Sequence, residues 1–236
     1  MPLRIACHDM TALCNRCQIS VVHTVHGAPE YEPGAVVPTG LWQPLTAEIA
    51  KHMPTWTGMR DSTLVEIAAP PLPPAALEDF GAGLGDPTAV YLGQAHSKPD
   101  TLTTTDNQSG RRIGLHLDNW DRLPYSAKDS ARRRLCLNLG PGTRYLLLCP
   151  LDAQALGRAV HPDDYADRHP HTDDLRAYVA AGNRLQCLRI RLDPGDGYIA
   201  PTEYLPHDGS TESEPKPSSA AFWLGQWPQG SIPSLV

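Results

Sequence analysis

The chain has 236 residues, 41% of them hydrophobic, and 20 basic against 26 acidic side chains give a net charge of −6. That length supports one sizeable core and one domain, while the acidic balance disfavours a nucleic-acid or anionic-membrane surface, which needs a clustered positive field. No stretch approaches the roughly 18 uninterrupted apolar residues of a bilayer span. Met1–Thr11 lacks the apolar centre of a signal peptide, so a cytoplasmic protein, monomeric or homodimeric, is expected.

The 24 prolines and 19 glycines are spread along the chain and punctuate many short elements. This predicts a β-rich domain with long loops. Near the start, Cys7-His8, Cys14, Cys17, His23 and His26 cluster, and Cys14-Asn-Arg-Cys17 has zinc or redox spacing. Against a zinc site, no second C-x-x-C exists and the intervening residues are apolar enough for strands. Cys136, Cys149 and Cys187 lie in apolar runs, where a reduced thiol acts as a small hydrophobe.

Gln18–Val25 reads as a strand, Thr46–Met53 and Pro74–Leu84 as short helices outside a sheet, and Ile113–Trp120 as the next strand. A helical turn at Ser126–Arg133 leads into a strand at Leu135–Leu139, stopped by Gly140-Pro-Gly142, and Arg144–Cys149 follows as another. A connection of some forty residues contains a helix at Thr172–Ala181 with Thr172 as its N-cap, closed by Gly182-Asn183. Leu185–Leu192 is a strand, Asp193–Gly197 a tight turn, Tyr198–Pro201 a further strand and Ala220–Leu224 the last.

Three H-x-D pairs occur: His116-Leu-Asp118, His161-Pro-Asp163 and His171-Thr-Asp173. About one such pair is expected by chance from this composition, so context must separate them. The second has a central proline in a polar stretch, and the third sits in the first turn of a predicted helix. Only the first lies in apolar alternation. On a strand, side chains two apart share a face, so His116 and Asp118 would aim an imidazole and a carboxylate at one point. The plainer reading is a hydrogen-bonded histidine beside a turn aspartate. A further histidine would complete a two-His, one-carboxylate set, which suits Fe(II) because half an octahedron stays open.

H-x-D on one strand, then Pro194-Gly-Asp-Gly197 leading into an apolar strand and a histidine beyond it, resembles the core of the Fe(II)/2-oxoglutarate-dependent oxygenases. The resemblance runs from about Ile113 to Trp227, roughly half the chain. It implies a mainly β fold with flanking helices: a double-stranded β-helix, or jelly-roll/cupin-like barrel. On that reading residues 1–110 pack on the barrel, 111–227 form it, and 228–236 are a tail. It also implies His116, Asp118 and His207 as iron ligands and catalytic residues, with Fe(II), 2-oxoglutarate and O2 as cofactors. His207 is the histidine that follows the turn; its plainer role is a turn residue before Asp208-Gly209.

The chain departs from the family in one respect. The family commonly anchors the far carboxylate of 2-oxoglutarate on an arginine after the distal histidine, and Arg191 is the last arginine here. Candidate replacements are Lys216, and Arg134 and Asn138 if Leu135, Leu137 and Leu139 face outward. Arg144, which opens a strand, is the favoured one. With Arg189, Arg144 also suggests a small carboxylate or amino-acid substrate. Without an anchor, a 2-oxoglutarate-independent enzyme whose substrate chelates iron is the alternative. A non-catalytic jelly-roll binder and a zinc-stabilised adaptor are further alternatives. The loop His161–Thr172 is the candidate lid, and Trp120 could wall a pocket or join the core.

Overall fold

The computed structural model describes residues 3–50, 64–70, 77–106 and 108–236. The chain begins with β1 (Arg4–Ala6), α1 (Met10–Arg16), β2 (Cys17–Thr24), β3 (Val36–Pro38), β4 (Gln43–Pro44), α2 (Ala47–Ala50) and β5 (Leu64–Ala68). It continues through α3 (Phe80–Gly83), β6 (Val90–Ser97), a 3-10 segment at Tyr125–Ser130, β7 (Arg133–Pro141) and β8 (Arg144–Leu148). After α4 (Ala153–Val160), α5 (Thr172–Ala180) and β9 (Gln186–Leu192) come β10 (Gly197–Ala200), β11 (His207–Ser210) and β12 (Ser218–Gly225).

The fold is mainly β, in two sheets. One has the order β1-β5-β10-β7-β12-β6; the other runs β11-β8-β9-β2-β3, with β4 also paired to β2. β1 and β5 are parallel, and the remaining pairings are antiparallel. Strand alternation sorts the side chains into three apolar layers. Cys136, Tyr198 and Ala220 of the first sheet meet Leu146, Leu148, Leu188 and Ile190 of the second in a shared core. Leu135, Leu137 and Trp223 face out from the first sheet, against Phe80 of α3. Leu147, Cys149 and Cys187 face out from the second, under Leu156 of α4 and Leu175 of α5. This architecture is compatible with a β-sandwich or a jelly-roll.

Residues 1–110, expected to pack on the barrel, contribute β1 to β6 and so lie within both sheets. The C-terminal segment also packs inward: Ile232 joins the outer layer of the first sheet and Val236 the shared core. Several elements differ from their sequence reading. Ile113–Trp120 forms no ladder strand; it is extended chain held by isolated bridges at Arg112 and His116. α4 was not expected, although Asp152 caps it by accepting from Ala155 N. The N-cap of α5 is His171 and not Thr172; its ring accepts from Asp173 N while Asp174 bonds back to His171 N. Of the two early helices, α2 and α3 are the described parts, and residues 51–53 and 74–76 lie outside the described residues.

Candidate metal centre

The H-x-D segment is positioned by backbone contacts with two other elements. Gly114 takes φ +76°, and a Cβ there would lie 2.6 Å from the Val36 carbonyl, so only glycine permits this approach to β3. Leu115 N then donates to Val36 O at 2.8 Å, and His116 exchanges two backbone bonds with His207, at 3.0 and 2.9 Å. Asp118 N donates to Thr202 O at 3.1 Å. Leu115 and Leu117 consequently enter the core beneath α4 and α5. His116 and Asp118 point the other way, against His207 at the start of β11.

Ligand atoms of His116, Asp118 and His207 all lie within 4.8 Å of one another; among the described residues this is the group of three or more that could hold a metal ion. The imidazole rings sit 4.7 Å apart. His116 Nδ1 lies 2.9 Å from Gly114 O and donates to it, which leaves Nε2 as the ring atom that could serve as a ligand. Arg134 spans the other two ligands, with Nη2 2.5 Å from Asp118 Oδ2 and Nη1 3.2 Å from His207 Nε2. Burial acts to raise the Asp118 pKa. The charges of Arg134, His207 and His116 outweigh it and hold the carboxyl at about 2. Burial, reinforced by His116 and Arg134 against the pull of Asp118, depresses His207 to about 3. Two of the three groups therefore stand in the protonation state a metal needs, an ionised carboxylate and a neutral imidazole.

A divalent ion fits this donor set: two imidazole nitrogens and a carboxylate oxygen lie within 4.8 Å of one another, His207 among them buried. Compared with known proteins, the chain matches no family model and no curated sequence. The site must be read from its own residues.

Arg144 lies in the interior shared by the sheets. On β8 it shares a face with Leu146 and Leu148, and on the paired strand His207 and Gly209 share the facing side. Its guanidinium folds over Gly209, where a Cβ would meet Nη2 at 2.8 Å. Arg134 and Arg144 approach one Phe222 ring, with guanidinium carbons 5.5 and 5.9 Å from its centroid. Arg134 is balanced by Asp118. Arg144 is 5% exposed, its Nη1 is buried without a hydrogen-bond partner, and no carboxylate among the described residues pairs with it.

The other sequence candidates lie elsewhere. Asn138 is fully buried and its amide is committed within the chain: Nδ2 donates to Gly142 O and Leu192 O, and Oδ1 accepts from Gly140 N and Ser218 Oγ. Lys216 is exposed beside the Pro141–Gly142 turn. That is the end of β7 away from Arg134, seven residues or roughly 20 Å along the strand. Arg189 faces outward, stacked 4.4 Å from the Trp42 ring and 4.6 Å from Tyr145. Cys7, Cys14 and Cys17 pack on the core, and burial, then neighbouring Cys14 and Cys7, pushes the Cys17 thiol to about 12. In the expected lid, His161 Nε2 pairs with Asp174 Oδ1 at 2.7 Å.

One buried ion pair beside the site has no counterpart in the sequence reading. Lys128 and Glu203 are both 0% exposed and 2.6 Å apart. Lys128 Nζ also donates to Asn119 Oδ1 at 2.7 Å, and Glu203 Oε1 accepts from Asp121 N at 2.8 Å. The pair clamps the chain just after Asp118 to the connection that delivers His207. Nothing local marks it, because its members are 75 residues apart.

Proposed function

We propose that the protein is a non-haem Fe(II) oxygenase that uses 2-oxoglutarate and oxidises a small molecule within a jelly-roll fold. One arrangement carries the reading: His116, Asp118 and His207 lie beside an interior that also holds the Arg144 guanidinium, which has no carboxylate partner among the described residues. Fe(II) held there would supply the redox chemistry that couples oxidative decarboxylation of 2-oxoglutarate by dioxygen to oxidation of a second substrate. Three ligands from one face leave sites open for co-substrate and oxygen. Arg144 binds the distal carboxylate of the keto acid, because a buried cation without a partner is costly and an arriving carboxylate relieves that cost. Arg134 holds Asp118 and His207 together and offsets the carboxylate charge until the metal arrives. His116, fixed by Gly114 O, presents Nε2 without rearrangement.

The test is anaerobic titration with Fe(II), then with 2-oxoglutarate, following the metal-to-ligand charge-transfer band of the chelate. Wild type should bind iron and develop the band. His116→Ala, Asp118→Ala and His207→Ala should bind no iron. Arg144→Met should bind iron normally but need at least tenfold more keto acid, since losing a charged buried contact costs roughly 2–5 kcal/mol. Iron binding with no band at saturating keto acid would favour the enzyme in which the substrate itself chelates the metal, with Arg144 holding that substrate. Failure of the wild type to bind iron would sink both readings.

A further inference from the structure

We propose that Trp120 and Arg122 form the recognition wall for the primary substrate, a molecule that combines a planar apolar body with an anionic group. Calling that ligand the substrate rests on the oxygenase reading; the binding wall itself does not. A pocket of about 360 Å³ opens over the metal centre, lined by His116 and Asp118 together with Ile113, Leu117, Trp120 and Arg122. A molecule that enters this mouth meets Trp120 and Arg122 beside His116 and Asp118. Trp120 is 53% exposed, unusual for the largest apolar side chain. Arg122 is exposed and, among the described residues, has no hydrogen-bond or ion-pair partner.

The backbone here is built, not loose. Arg122 adopts φ +51°, a left-handed conformation that long side chains avoid unless the surroundings impose it. The surroundings do impose it. Asn119 is held by Lys128 at 2.7 Å, and Asp121 N is held by Glu203 at 2.8 Å. The Asp121 carboxylate takes Arg132 Nε at 2.7 Å and Arg132 N at 2.8 Å. These contacts fix the backbone on either side of Trp120, and Trp120 and Arg122 line the mouth together with the exposed Asn119. An indole face stacks planar apolar groups, and a free guanidinium takes a carboxylate in a bidentate pair. The anionic end is therefore taken by Arg122 and the apolar body by the Trp120 face beside Ile113.

Phenylacetate is the probe, titrated into full-length protein treated with chelator so that no metal can take the carboxylate, with phenylacetamide and acetate as comparators. Phenylacetate should quench tryptophan emission and bind. Trp120→Ala should abolish binding, and Arg122→Met should weaken it at least fivefold. Phenylacetamide should bind wild type no better than phenylacetate binds Arg122→Met, and acetate should not bind measurably. Arg122→Gly should raise Tm by relieving the left-handed strain while losing affinity as Arg122→Met does, a combination that a purely structural arginine would not produce. Absence of phenylacetate binding, equal affinity for acid and amide, wild-type binding by either position-122 variant or a lowered Tm for Arg122→Gly would overturn the proposal. Intact phenylacetate binding in a protein that takes up no Fe(II) would overturn the oxygenase reading alone.

Discussion

Arg144 keeps its charge inside the fold with no carboxylate opposite it among the described residues, and Gly209 is what leaves room for it there. A Cβ at 209 would sit 2.8 Å from Arg144 Nη2, and the atom it meets is the far end of a flexible side chain. Gly209→Ala should therefore fold and bind Fe(II) as wild type does while losing affinity for 2-oxoglutarate by about tenfold, the order expected for a misplaced charged contact. Calorimetric titration of the iron-loaded variant checks it. His207 has a consequence of its own. Its ring stays neutral down to about pH 3, against 6.5 for the ordinary imidazole, principally because it is buried. Between those values the unfolded chain takes up a proton that the folded chain refuses, so stability rises with pH across the window. Metal-free protein should lose a few kcal/mol of stability on going from pH 7 towards pH 4. The carboxyl of Asp118, held at about 2 instead of 3.8, adds to the loss below pH 4. Urea midpoints at pH 7 and pH 4.5 should differ clearly for wild type and much less for His207→Gln.

At the scale of elements, α4 shows how a tertiary contact reverses a local preference. Gly157 lies inside this helix, where alanine would ordinarily be better by about 1 kcal/mol. A Cβ at 157 would, however, come 2.8 Å from the Tyr125 ring. That ring is fully buried, and its hydroxyl donates to Asp174 of α5 at 2.7 Å, so it has little freedom to move. Overpacking of this kind costs about 1–3 kcal/mol and exceeds the propensity gain. Gly157→Ala should lower Tm, and Gly157→Ala/Tyr125→Leu should restore part of the loss by removing the ring. The same packing explains why the helix is hard to read from sequence, since a mid-helix glycine looks like a breaker until Tyr125 is known to lie against it.

For the molecule as a whole, the metal centre depends on joining distant stretches, and Lys128–Glu203 is the buried join. Removing one partner leaves an unpaired buried charge, at a cost of about 3–5 kcal/mol, whereas an apolar pair of similar volume is often tolerated. Lys128→Met and Glu203→Gln should each be strongly destabilised, and Lys128→Met/Glu203→Leu should recover most of the loss. The double variant should still bind Fe(II) about tenfold more weakly, because Asn119 Oδ1 loses Lys128 and Asp121 N loses Glu203 just beyond Asp118. Chemical denaturation alongside metal titration separates the two effects. Recovery of metal affinity together with stability would show that the clamp serves the fold alone.

Local pattern was enough for much of this protein. Apolar runs bounded by turn residues placed β7, β8, β9 and β12, and at β7 period two separated the Arg134, Cys136 and Asn138 face from the leucine face, leaving to the tertiary structure which of the two turns inward. Alternation also singled out His116 and Asp118 among three similar pairs, since only there do leucines alternate with polar residues. Long-range pairing decided the rest. β5 joins the first sheet by pairing with β1 and β10, and β6 by pairing with β12 across more than a hundred residues. His207, Arg144 and Gly209 came together only once β8 and β11 paired. The H-x-D segment reaches them through single bridges and the Lys128–Glu203 clamp, without joining a ladder. Charge balance in the interior, which among the described residues leaves Arg134 paired and Arg144 without a carboxylate, is a property of three-dimensional distance, and no sequence spacing encodes it.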